Sequence, residues 1–157
     1  MSNSKEGKGK DRKKRAEEME KRSGYDKKIA QQENKIGKYE ENIDKLKRKI
    51  EKYNKKLENL EAKESKSQKE SGKAAEKARK SQGTGKDRRK SAKQMKKKAK
   101  QDKKIAKQEK KRGGYEQKIE KYQNKIDEYE KKIEKAKKKE RELKEKSKRS
   151  SERSNRD

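Results

Sequence analysis

The sequence predicts an all-α protein built of long coiled-coil helices, and three observations carry that prediction. Apolar residues recur with a seven-residue period, alternately three and four apart, in two stretches of the chain. Proline is absent, so nothing interrupts a helix dominated by Lys, Glu, Gln, Arg and Ala. Val, Phe and Trp are also absent and Thr84 is the only threonine, so the residue types that favour strands are nearly missing. With 20% hydrophobic and 56% charged residues in 157, the chain has too little apolar surface for a globular core. The period therefore predicts helices that pair along a narrow seam, either as an intramolecular hairpin or as a parallel dimer.

The first ten residues, MSNSKEGKGK, hold nothing to bury and are expected to be a disordered tail. Residues 11–64 form a first repeat. Its seam has Ile29, Ile36, Ile43, Ile50 and Leu57 at position a, and Tyr25, Tyr39, Leu46, Tyr53 and Leu60 at d. Residues 65–86 contain Gly72, Gly83 and Gly85 and no seam residue, which predicts a flexible, partly helical linker. Residues 87–146 form a second repeat with Ile105, Ile119, Ile126 and Ile133 at a, and Tyr115, Tyr122, Tyr129, Ala136 and Leu143 at d. Residues 147–157 are rich in Ser and Arg and are expected to be a second disordered tail, with Ser147, Ser150, Ser151 and Ser154 open to phosphorylation.

The two stretches are copies of one unit. Shifting the chain by 76 residues aligns DRKKRAEEM at Asp11 with DRRKSAKQM at Asp87, and DKKIAQQE at Asp26 with DKKIAKQE at Asp102. Tyr39, Ile43, Ile50 and Tyr53 then fall on Tyr115, Ile119, Ile126 and Tyr129, the self-similarity expected of a repeat. An offset of 76 is one short of eleven heptads, so the two seams do not share a frame. Gln32 and Gln108 at d, and Arg112 at a, are polar interruptions, read either as trading stability for register or as marking a weak, frayed segment.

The flanks of the seam bear on orientation. Position g carries Lys28, Lys35, Lys49 and Lys56, then Lys104, Lys111, Lys118, Lys125 and Lys132; position e carries Glu33, Glu40, Glu61, Glu109, Glu116 and Glu130. A parallel pair sets g against the partner's e and attracts, whereas an antiparallel pair sets lysine against lysine. A parallel homodimer is the favoured reading, with the hairpin as its competitor because a tether raises effective concentration.

The net charge of +28 is unevenly spread. Residues 65–112 hold 21 Lys and Arg against 5 acidic residues, a net of +16, whereas residues 24–64 and 113–144 each carry a net of +3. That concentration suggests a polyanion partner, most simply DNA or RNA, bound by counterion release. The candidate contacts are Arg12, Lys13, Lys14 and Arg15, then Arg88, Arg89 and Lys90, and the run of Lys96, Lys97, Lys98, Lys100, Lys103, Lys104, Lys107, Lys110, Lys111 and Arg112. Lysine outnumbers arginine and lacks the planar fork that reads guanine edges, so binding is expected to ignore sequence. All six tyrosines lie on the seam and are read as core, not as stacking partners for bases. An acidic protein surface is a further possible partner; membrane binding is not expected of so narrow an apolar stripe.

Catalysis is not expected. The chain lacks Cys and His, and nothing in it forms an apolar pocket that would shift carboxylate pKa values. No cofactor or metal is implied. The GTGKD run at Gly83 lacks the upstream glycine, the Ser or Thr after lysine and the preceding apolar strand of a phosphate-binding loop. No apolar run approaches a signal or membrane-spanning segment, which leads to the expectation of a soluble intracellular protein of nucleus, nucleoid or cytoplasm. The run KAAEKARKSQGTGKD is similar in composition to late-embryogenesis-abundant proteins and related stress hydrophilins. That resemblance implies the alternative function, a structural or protective protein without a dedicated ligand. Those families have an eleven-residue repeat, where this chain keeps seven.

Overall fold

The computed structural model describes the backbone of residues 2–83 and 85–156 and the side chains of residues 10–83 and 85–152. Its architecture is α1 (Ser2–Lys80) followed by α2 (Lys86–Arg156), with no strand among the described residues. The terminal segments 2–10 and 147–156, for which composition predicts disorder, continue the helical backbone. Met1, Thr84 and Asp157 lie outside the described residues.

Two compact units result, and they cut across the repeats. Unit 1 is Met1–Lys45 with Lys125–Asp157, and unit 2 is Leu46–Asn124. Each combines a piece of α1 with a piece of α2. Within each the two helices run antiparallel: in unit 1 the partner advances from Tyr129 to Ser150 as α1 goes back from Tyr39 to Glu18, and in unit 2 it goes back from Tyr115 to Asp102 as α1 advances from Tyr53 to Ser71. Within one chain, the helix pair of each unit therefore has the direction that the hairpin requires.

In unit 1 the buried residues are Gln32, Ile36, Ile43, Ile126, Ala136, Leu143 and Ser150, every one at a or d. Ser150 is not a free tail residue: its hydroxyl donates to the Glu18 carboxylate and lies 3.3 Å from the Glu18 carbonyl.

In unit 2 the buried residues begin with Leu46 and Leu60 and continue through Glu64, Ser67, Ser71, Ala74 and Ala78. These last five are the next a and d positions in the same frame. The expected linker is therefore helix to Lys80, with a seam of small and polar residues. Serine and alanine give no hydrophobic period to read, yet they are narrow enough to be covered by the facing helix.

The chain reverses between α1 and α2. Ser81 N–H reaches the Lys77 carbonyl at 3.1 Å, and Gly85 takes φ 64°, a left-handed conformation open to glycine at low cost. Lys77, Arg79 and Lys80 in the last turn of α1 and Asp87 in the first turn of α2 suit the helix dipoles at this junction. Arg88 Nε donates to the Gly83 carbonyl at 3.2 Å, and Ser91 Oγ to the Ala78 carbonyl at 3.1 Å.

Gly113 and Gly114 lie inside α2 with nothing within 4 Å of where a Cβ would stand. The double replacement G113A/G114A is expected to raise stability by about 0.5–1 kcal/mol per site, because alanine loses less backbone entropy on entering a helix. Thermal unfolding followed by circular dichroism checks this, with Gly85→Ala as the opposite case, lowering the midpoint through strain at φ 64°.

Candidate polyanion interface

Antiparallel pairing decides what the flanks of the seam face. In unit 1 the g positions Lys28, Lys35, Lys139 and Lys146 come from both helices to line one groove floored by Leu143, with Glu142 as its one carboxylate. Lys35, Lys132, Lys135 and Lys139 line another over Tyr39 and Ala136. The opposite, e-side face of unit 1 is charge-compensated: Lys144 Nζ lies 2.9 Å from Glu140 and within the field of Glu33. Lys144's hydrogen bond holds the Glu140 carboxyl below its ordinary range, and the same contact raises the lysine.

In unit 2 the same rule brings Lys49, Lys56, Lys63 and Lys77 of α1 to the side that carries Lys90, Lys97, Lys104, Lys111 and Lys118 of α2. Near the turn, where the seam narrows to Ala74, Lys73, Lys77, Lys97 and Lys100 line a groove of about 360 Å³ with Gln94, Gln101 and one carboxylate, Glu70. The e side of unit 2 carries Glu61, Asp102, Glu109 and Glu116. Asp102 accepts from Lys98 Nζ at 2.8 Å and from Ser71 Oγ at 2.6 Å, which holds its carboxyl low, Lys98 contributing most.

Facing lysines repel, and the structure offsets this with the tyrosines. Lys56 Nζ lies 5.0 Å from the Tyr53 ring centroid and 5.7 Å from that of Tyr115; Lys49 sits 5.6 Å above Tyr122. Lys118 lies 5.2 Å from the Tyr53 centroid and donates to its phenol oxygen at 3.2 Å. That hydrogen bond lowers the Tyr53 hydroxyl from its usual pKa and raises Lys118. In unit 1, Lys132 is 5.8 Å from the Tyr39 ring and 5.4 Å from Tyr129. A cation over an aromatic face gains about 0.5–1 kcal/mol at an exposed site.

The internal repeat makes these clusters equivalent. Subtracting or adding 76 converts Tyr39, Tyr129 and Lys132 of unit 1 into Tyr115, Tyr53 and Lys56 of unit 2. The ring separations agree, 5.9 Å for Tyr39 with Tyr129 and 5.8 Å for Tyr53 with Tyr115. Each cluster takes one tyrosine from one repeat, and a tyrosine and a lysine from the other. Tyr53 also stacks at 5.9 Å on Tyr122.

The basic residues singled out in the sequence do not form one patch. Lys90, Lys97, Lys104 and Lys111 lie on the g side, with Lys100 and Lys107 beside them. Lys96, Lys103 and Lys110 project from the side of α2 opposite the seam, with Arg89 on the same side. Lys98 and Arg112 occupy seam positions and are committed to acids, Lys98 to Asp102 and Arg112 to Glu64. Arg88 is held by the turn. Arg12, Lys13, Lys14 and Arg15 are exposed around the first turns of α1. Conversely, Lys28, Lys35, Lys49, Lys56, Lys118 and Lys132 join the basic faces although their segments are near charge balance. Their common g position was visible in the sequence, but its meaning depended on which way the partner helix runs.

Among the described residues, no helix is long and apolar enough to cross a membrane. Comparison with protein-family models, curated proteins and solved structures returns no match for this chain.

Proposed function

We propose that this chain is a non-enzymatic coiled-coil hairpin that binds polyanions, most simply DNA or RNA, without regard to sequence. The observation that carries the reading is the gathering of g-position lysines from both helices onto one face of each unit. Separate lysines on a single helix point around its whole circumference. Two antiparallel g rows concentrate them on one side, where counterion release on contact with phosphate supplies the binding free energy. Lysine as a point charge supports affinity without base readout.

The test removes charge by position. Lys28, Lys35, Lys139 and Lys146 replaced together by glutamine are compared with Lys27, Lys131, Lys138 and Lys148, an equal number lying away from the g side of unit 1. The first variant is expected to lose about thirtyfold in affinity for nucleic acid near physiological salt and about three units of the slope of log K against log salt. The second is expected to lose less than about threefold. Equal losses in the two variants would mean that total charge, not the shared face, governs binding, and the reading would be abandoned.

A further inference from the structure

Unit 2 presents its lysines in a line, and a line selects among nucleic acids. Along an α-helix, successive g positions are about 10.5 Å apart, seven residues at 1.5 Å each. Lys49 to Lys77 on α1, and Lys90 to Lys118 on α2, therefore each span about 42 Å. With both rows on one side, the face offers about one ammonium for every 5 Å of its length, interrupted by Glu70 at a g position.

A flexible single strand can follow such a line, placing one phosphate after another against it. A duplex cannot, because each of its strands winds away from a straight neighbour and returns once per turn of about 34 Å. A duplex alongside this face meets phosphate at only two or three crossings and leaves the lysines between them unneutralised. The tyrosines add nothing that would read bases. Tyr53, Tyr115 and Tyr122 are half-buried on the seam, and Lys49, Lys56 and Lys118 lie over their rings. Those ring contacts also keep three lysines in place before any ligand arrives, which reduces the ordering cost of binding.

We propose that the basic face of unit 2 is a track for single-stranded nucleic acid, held along its phosphodiester backbone and not through its bases. This rests on the reading of the g-side lysines as the polyanion contact, and it adds which form of nucleic acid they fit.

The experiment uses the full chain with single strands and duplexes of equal length, titrated by fluorescence anisotropy over a series of salt concentrations. A variant in which Lys63, Lys77, Lys97 and Lys111 become glutamine removes four charges from the track, none of them over a ring. Its control replaces Lys55, Lys96, Lys103 and Lys110 on the far sides of the same helices. For single strands the track variant is expected to lower the salt slope by about 3, from about 0.7 per phosphate released; for duplex, fewer than two contacts should be lost, at about 0.9 each. Single strands of different base composition should bind within about threefold of one another. Equal or larger losses on duplex overturn the proposal while leaving polyanion binding intact, and so does a strong preference between base compositions. Absence of binding to either form overturns both.

Discussion

Replacing Arg112 by leucine is expected to destabilise the fold by about 3 kcal/mol, and replacing Glu64 in the same molecule is expected to restore it. Glu64 is 5% exposed, and its Oε2 is paired with the Arg112 guanidinium while its Oε1 has no partner. Losing the arginine leaves a carboxylate in the seam with no compensating charge, the costly way to break a buried pair. Removing both charges removes the desolvation penalty as well. In the doubly substituted chain (E64L/R112L), apolar side chains then continue the layer begun by Leu60. The single variant should unfold roughly 6–12 °C lower and the double variant at or above the parent, for a cost converted at about 2–4 °C per kcal/mol. A single variant that melts within about 2 °C of the parent would show that Glu64 is hydrated in solution and that the pairing of these two positions is wrong.

Tyr53→Ala is expected to lower the melting midpoint by several degrees, more than loss of any other tyrosine. Its ring meets both Tyr115 and Tyr122, carries Lys56 and Lys118, and accepts a hydrogen bond at the phenol oxygen. Truncation removes the rings' contact and also returns two lysines to mutual repulsion with no aromatic face to occupy. Tyr53→Phe isolates the smaller part. It keeps the ring and loses only the exposed Lys118 bond, so a much smaller fall in the melting midpoint is expected. Tyr129→Ala provides the comparison, since Tyr129 is the repeat counterpart of Tyr53 and carries one lysine where Tyr53 carries two. If the two alanine variants melted alike, the second lysine and the Tyr122 contact would be contributing nothing.

Much of the fold is legible in the sequence. The isoleucines and tyrosines mark the covered side of each helix because they are the few apolar residues in a charged chain, and Ile36, Ile43, Leu46, Leu60 and Ile126 are buried as their period requires. The stretch from Glu64 to Ala78 was not readable as seam. Its register is intact, but serine, alanine and glutamate carry no apolar signal, and only the facing Gln108, Arg112 and neighbours of Asp102 show that it is covered. The candidate contact surface was legible in half. The lysine rows were plain, whereas the surface they build was hidden, and local charge density pointed instead to residues 96–112, some of which face away or are tied to Glu64 and Asp102.

By itself, then, the sequence determined that this protein is helical, which side is covered where isoleucine and tyrosine mark the seam, and that a similar stretch occurs twice. Only the tertiary structure decided the direction in which the helices meet. A heptad stripe specifies a side to bury and is nearly silent about direction, because exposed g and e charges are worth about 0.2–1 kcal/mol per pair. Tethering in one chain and lysine–tyrosine contacts of similar size are enough to outweigh them. That choice turns lysines that would have faced glutamates into two rows on a common face.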